Sequence, residues 1–537
     1  MQKKHPFTDY EAVKPSTRRT RAAGGEEAGD LWTVSDNSGE ARRSSVENPG
    51  SVERLERVAT LENNDEQART PHGEAAPHSE EARPAGANAS PFTLKRGHLF
   101  SYLGLFLFTV VLYFRPYELH PSLAGLTSLA YWLALATLAV FLPTQLALEG
   151  NLTTRPREVN LVLLLCVAAL LSIPFAIDPG EAWGTFNYIF IKAVIMFIVI
   201  VNVVRTPLRL KGMIFLGLAI GCVLSVGAIN DYRLGRFVVG DERVAGVVGG
   251  MFGNPNDLAL HLVTMIPLAV GLLLSTRNLL AKPFYALCAL LMVGGVIASF
   301  SRGAFIGLLG ASMVLAWKLG RRNRFLMIIL IGVFLVALLA LAPGEYTERI
   351  SSIGSVSRDA SSSSRRDLLV RSIIVAIANP VFGVGMGNFH IVSIRELVSH
   401  NAYTQVAAEM GLAAMCIYIM MLVVPLKRLR LIEHATYETR RGSRIYYLSV
   451  ALQASLVAYM MSSFFGSVAY QFYVYYLIGY AVALRRIYEA QTGMEVVPLS
   501  KKEKRAARAA AAVSPQNSDT DFPEPESPHS LALRTGM

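Results

Sequence analysis

Residues 186–204 read FNYIFIKAVIMFIVIVNVV, a 19-residue run whose one charged side chain is Lys192. A helix of about 20 apolar residues crosses the hydrocarbon core of a bilayer. Inside hydrocarbon every backbone N–H and C=O must be satisfied within the segment, so the run reads as a spanning helix rather than a strand. Working outward, comparable runs recur at 98–114, 123–143, 159–177, 212–230, 256–275, 283–300, 303–319, 325–342, 402–425, 445–466 and 468–487. The sequence therefore predicts an all-α membrane protein: a polytopic bundle of about twelve transmembrane helices over 98–487, with a large loop at 343–401.

Composition agrees with this reading. Of 537 residues, 52% are hydrophobic and 17% charged, and a soluble domain carries roughly 25% charged residues. Mean hydropathy is +0.37. Polar residues collect at the two ends. Residues 1–97 are rich in Glu, Arg, Ala, Gly, Ser and Pro without periodicity, too little apolar surface to offset chain entropy, and are expected to be a disordered cytoplasmic tail. Residues 488–537 form a second tail, basic from Lys501-Lys502-Glu503-Lys504-Arg505, which is either solvated or laid on anionic lipid. Met1 to Arg21 lacks the apolar core of a signal peptide, so the first run is expected to stay as a membrane helix. The net charge of +11 does not point to nucleic acid, since zinc-finger spacing and aromatic–basic interleaving are missing from the sequence. Cys166, Cys222, Cys288 and Cys416 each lie inside an apolar run, which argues against a disulfide framework or metal site.

Loop charge sets the orientation. With the N-terminus inside, alternate loops carry Arg155 and Arg157, then Arg205, Arg209 and Lys211, then Arg277 and Lys282, then Arg321 and Arg322, then Lys427, Arg428 and Arg444. That is the positive-inside pattern, with both termini cytoplasmic. Two loops on the opposite, periplasmic side break it. The 231–255 loop carries Arg233, Arg236 and Arg243, and the 343–401 loop carries Arg349, Arg358, Arg365, Arg366, Arg371 and Arg395. Arg302, in a very short turn, joins them. Arginines kept outside against the topological bias fit an anionic ligand there. Within the large loop, Ser364 and Asp367 resemble a capping box, and Leu368, Leu369, Ser372, Ile373, Ala376 and Ile377 share a face at helical spacing. The segment 364–378 is thus predicted to be an amphipathic helix on the outer membrane surface, stopped by Pro380 and followed by a flexible glycine turn at 383–387.

The motifs in these loops are ordered. Asn379-Pro380-Val381-Phe382-Gly383-Val384-Gly385-Met386-Gly387-Asn388 is followed by Ser399-His400-Asn401-Ala402 and then Glu409-Met410-Gly411. Upstream stand Arg243, the segment Phe252-Gly253-Asn254-Pro255-Asn256-Asp257, and Ser301-Arg302-Gly303. Over roughly residues 100–487 the pattern resembles the O-antigen ligase and polymerase superfamily. There a Pro-x-x-Gly-x-Gly segment precedes a His-Asn pair and a Glu-x-Gly. The ligase spacing of His, ten residues, Gly is met by His400 and Gly411, and Arg, three residues, Leu by Arg365 and Leu369.

The resemblance implies transfer of a glycan from an undecaprenyl-diphosphate carrier to an acceptor hydroxyl at the periplasmic face of the bacterial inner membrane, with membrane lipids around it. Such transfer needs cations on the leaving diphosphate and a base near the acceptor oxygen. His400 is the expected catalytic base. Arg302 and Arg365 are expected at the diphosphate, with Arg366 as the alternate, since guanidinium forks pair with phosphate oxygens. Asn256 and Asn401 are expected to touch substrate. Arg243 either binds sugar or phosphate or pairs with Asp241 or Glu242. No cofactor is implied, and with no Asp-x-Asp or metal-ligand cluster in the sequence the transfer is expected to be metal-independent. Three acceptors stay open: lipid A core, the growing glycan, or a protein hydroxyl, corresponding to ligase, polymerase and O-oligosaccharyltransferase. A flippase or transporter of lipid-linked oligosaccharide is the alternative class, disfavoured because polar residues gather in loops rather than at the midplane. A non-catalytic component of an export complex is a third. Lys192 is either functional or snorkelling. Asp257 and His261 share a helix face, and Glu409 either orients His400 or braces the bundle.

Overall fold

The computed structural model describes residues 97–115, 117, 123, 128–236, 243–244, 246, 252–320, 332, 360–440 and 443–496. The predicted tails, apart from residues 97 and 488–496, the predicted span 325–342 (bar residue 332) and the loop residues 343–359 lie outside them. The regular elements are helices: α1 (Leu99–Phe114), α2 (Leu129–Glu149), α3 (Arg157–Ser172), α4 (Pro179–Val203, with a π-helical turn at Phe186–Phe190), α5 (Pro207–Arg233), α6 (Pro255–Ser275), α7 (Ala281–Ala298), α8 (Arg302–Leu319), α9 (Ala360–Ala378), α10 (Ala402–Met410), α11 (Leu412–Ala435), α12 (Arg444–Ser462) and α13 (Phe472–Thr492). Among the described residues eight helices are long and apolar enough to cross a membrane: α2, α4, α5, α6, α7, α8, α11 and α12. The expected figure of about twelve is not reached there. The apolar helices α1 and α3 have 16 residues each, and α13 carries Arg485, Arg486 and Glu489 in its last turns.

The helix starts follow local chemistry. Asp178 accepts from the N–H groups of Gly180 (2.8 Å) and Glu181 (3.1 Å), with Pro179 first in α4. Thr206, Asn254, Ser301 and Ser443 cap α5, α6, α8 and α12 in the same way. Each cap satisfies backbone donors that the helix itself leaves open. Packing then sorts the helices. In α6 83% of the spanning window is buried and in α12 72%, against 17% in α2, so α6 and α12 form the centre and α2 faces outward.

At the end of the bundle where α2 stops and α3 starts, the loop arginines are paired. Arg205 meets Glu149 at 2.6 Å, and Glu158 bridges Arg428 (3.5 Å) and Arg485 (3.4 Å). Lys318 pairs with the buried Glu433, which also accepts from Gln453. Buried charges of this kind stand only when partnered. The basic residues that set the predicted orientation therefore also tie α2, α3, α4, α11 and α13 together.

At the opposite end two local expectations change. The run predicted as one span over 402–425 is broken at Gly411, whose φ of 90° is open to glycine and closed to other residues. An added Cβ there would stand 2.8 Å from the Pro380 carbonyl oxygen. The glycine segment 383–387 is not a loose turn but a buried one. Val384 and Gly385 donate to the Ala408 and Glu409 carbonyls (2.9 and 3.0 Å), closing the C-terminal end of α10. The predicted helix at 364–378 is present as α9 and shows two apolar faces. Leu368 is buried, and Val375 and Ala376 pack with Val384, Phe389, Ala407 and Ala408, while Val370, Ile373, Ile374 and Ile377 are exposed.

Candidate functional site

Two clusters form at the α9–α10 end. The first grows from the short turn between α7 and α8, where Phe300 takes the left-handed conformation (φ 52°) and Ser301 caps α8. Ser301 Oγ donates to Asn256 Oδ1 (3.0 Å), and Arg243 Nη2 donates to the same oxygen (2.8 Å). Arg243 Nε reaches the Ser299 carbonyl (3.3 Å). Arg243 is buried and held by Asn256 and Ser299, while Asp241 and Glu242, its other expected partners, lie outside the described residues. Arg302, the first residue of α8, is half-buried beside this cluster. Gly303 follows because Phe465 lies against it, 2.8 Å from where a Cβ would be.

The second cluster is the His400–Asn401 corner before α10. His400 is half-buried with φ 52°, a left-handed conformation that costs a non-glycine residue roughly 1–2 kcal/mol. Its N–H donates to Ser467 Oγ (2.8 Å), which holds the corner. Asn401 caps α10, with Oδ1 accepting from Tyr403 (2.9 Å) and Thr404 (3.1 Å). Those two bonds settle which side-chain atom is the oxygen. The amide Nδ2 is then a buried donor without a hydrogen-bond partner among the described residues.

The turn 463–471 between α12 and α13 joins the clusters. Phe465, Gly466 and Val468 line a small cleft with Asn256, Ser301 and Gly303, and Ser467, between them in sequence, holds His400. Tyr470 donates to Glu409 Oε2 at 2.6 Å. Glu409 lies in the nine-residue α10, too short to cross a membrane, and is fully buried. Burial pushes its carboxyl up to about 7, against hydrogen bonds from Tyr470, the Gly387 and Phe389 backbone and Gln405. It braces α10, the glycine segment and this turn.

Of the remaining expected site residues, Arg365 is half-buried and Arg366 exposed, both early in α9. Lys192 is exposed on α4, its ammonium 5.6 Å from the Tyr188 ring centroid. Asp257 and His261 are both buried, and the His261 ring packs at a tilt against Tyr113, Phe252 and Tyr473. Sequence reasoning passed over Ser467 and Tyr470, which stand in a short turn without a motif. It also passed over His390, whose Nε2 is 3.4 Å from Glu181 at the start of α4.

No curated protein matches this chain. Residues 287–419 match the family described as O-Antigen ligase, a segment holding Arg302, Arg365, Arg366, His400 and Asn401, with Arg243 and Asn256 upstream of it. This segment of the chain is similar to the O-antigen ligase family.

Proposed function

We propose that the protein is a membrane glycosyltransferase of the O-antigen ligase type, acting at the periplasmic face of the bacterial inner membrane. It moves a glycan from an undecaprenyl-diphosphate carrier to an acceptor hydroxyl, lipid A core first among the acceptors. His400 takes the acceptor proton as that oxygen attacks the anomeric carbon. The bond from that carbon to the diphosphate breaks, and undecaprenyl diphosphate leaves with the electron pair. Arg302, with Arg365 or Arg366, stabilises the charge that develops on the diphosphate. Arg243 and Asn256 hold the short turn that presents Arg302. Asn401 offers its free amide to the substrate.

The observation that carries this reading is the His400–Asn401 corner inside the family segment. A strained histidine is pinned by its own backbone N–H beside a buried amide donor that lacks a partner among the described residues. An unsatisfied buried donor costs about 1–3 kcal/mol, so its retention fits a ligand that completes it.

The test uses purified protein in nanodiscs with an undecaprenyl-diphosphate-linked oligosaccharide and, in separate reactions, lipid A core, free glycan or a Ser/Thr-rich protein. Release of undecaprenyl diphosphate and the product mass are measured with wild type and His400→Ala. Transfer to lipid A core that falls at least a hundredfold in the variant is expected. Transfer only to glycan or protein would replace the ligase assignment by polymerase or protein glycosyltransferase. Full activity in the variant, or movement of the lipid-linked glycan across the bilayer without transfer, would refute the proposal.

A further inference from the structure

We infer that the outward face of α4 docks a membrane-spanning helix of a partner protein, one that carries a carboxylate near the bilayer midplane opposite Lys192. Lys192 stands eleven residues from the nearer end of α4, whereas the other charged side chains of the described spans lie within eight residues of a helix end. At a rise of about 1.5 Å per residue, that nearer end is roughly 16 Å away. The side chain leans the other way, with its ammonium 5.6 Å from the ring centroid of Tyr188, one turn along the helix. A four-carbon stem placed so deep does not lift the charge out of hydrocarbon. Among the described residues Lys192 meets no acid, and it is exposed.

The backbone builds this face. In the π-helical turn at Phe186–Phe190 the Ile191 N–H bonds to the Phe186 carbonyl, five residues back. Residues five apart then stand nearly above one another, which aligns Asn187 with Lys192. Asn187 is exposed as well, and Tyr188 (65%) and Trp183 (52%) open on the same helix. Polar side chains join spanning helices to one another, and an intramembrane charge is stable where it meets an opposite one. A phospholipid phosphate sits at headgroup level and does not reach this depth. A second copy of the chain does not supply the acid either. Two-fold pairing on this face sets Lys192 near Lys192. Asp257 and Glu409 are buried, and the other acids of the described spans lie near helix ends. The partner is therefore a different protein whose spanning helix bears the acid. This inference does not depend on the glycosyltransferase reading.

Reconstitution tests it. Full-length protein carrying a fluorophore is placed in liposomes at pH 8 with synthetic leucine-rich spanning helices that hold either Glu or Leu at their centre, and association is read by energy transfer. The Glu helix should associate roughly tenfold more tightly than the Leu helix, the weight of one polar contact in hydrocarbon. Lys192→Met, of similar length and at home in lipid, should remove that preference, and Lys192→Arg should keep it. Lys282→Met, near the start of α7, should leave it unchanged. On wild type, a Glu helix with a photoreactive residue beside its carboxylate should label the peptide holding Tyr188 and Lys192. Equal association of the two helices, a preference that survives in Lys192→Met, or labelling spread over other outward-facing helices such as α2 would overturn the assignment.

Discussion

Gly385→Ala isolates how the glycine segment supports the site. Gly385 has φ 101°, so an alanine there carries left-handed strain of about 1–2 kcal/mol. Its methyl would overlap the Ala176 methyl and stand 2.8 Å from Ala176 Cα, where ordinary contact begins at 3.4 Å. Ala176 belongs to the α3–α4 connection and cannot rotate its methyl away, so the segment or the connection must move. Movement breaks the Gly385 N–H bond to the Glu409 carbonyl (3.0 Å) and the Ile177 N–H bond to the Val384 carbonyl (3.0 Å), about 1 kcal/mol each. The expected loss is about 3–4 kcal/mol. Gly150→Ala is the matched control: Gly150 has φ 68°, ends α2, and has no atom within 4 Å of a built Cβ. It should lose only the strain, about 1–2 kcal/mol. The unfolded-chain effect of Gly→Ala is common to both and cancels in the comparison. Thermal melts of the two variants in one detergent measure the difference. Gly385→Ala should melt well below Gly150→Ala and transfer glycan poorly. Equal melting points would show that the segment does not bear on α10 as the contacts imply.

Three further outcomes follow from named contacts. Glu409 has its pKa raised from 4.5 to about 7, so between those values the folded protein holds a proton that the unfolded chain has released. Stability is then greatest below pH 4.5 and falls as pH rises through 7, by about 3 kcal/mol. Glu409→Gln, which keeps an acceptor for Tyr470, should flatten that dependence in melts taken from pH 5 to 8, and a variant curve parallel to wild type would refute the assignment. Ser467→Ala removes the acceptor of the His400 N–H; kcat should drop about tenfold with KM unchanged, and Ser467→Thr should restore it. A rise in KM alone would instead place Ser467 in substrate binding. Glu158→Gln leaves Arg428 and Arg485 without their shared carboxylate, a loss of about 3–5 kcal/mol, visible as less monodisperse protein on size exclusion. An unchanged elution profile would mean that the two arginines find other acceptors.

Much of this was legible in the chain. Apolar length marks a helix such as α4 because hydrocarbon leaves the backbone no partner but itself. The residues at helix starts, Asp178, Asn254, Ser301 and Asn401, are local chemistry and read locally. The order of Arg302, Arg365, His400 and Gly411 carried the family resemblance before any fold was in view. What the sequence could not show is which distant segments meet. The break at Gly411 was hidden inside a continuous apolar run, because hydropathy is blind to a backbone angle. The glycines at 383–387 looked like flexibility, and only the packed end of α10 turns them into a fitted cap. Ser467 and Tyr470 carry no motif, yet the turn that bears them spans the gap between Asn256 and His400. The sequence by itself determined the solvent each segment prefers and where each helix starts. The tertiary structure decided which polar groups became partners, because a buried donor or charge is satisfied by whatever the fold brings within about 3 Å, at any separation along the chain.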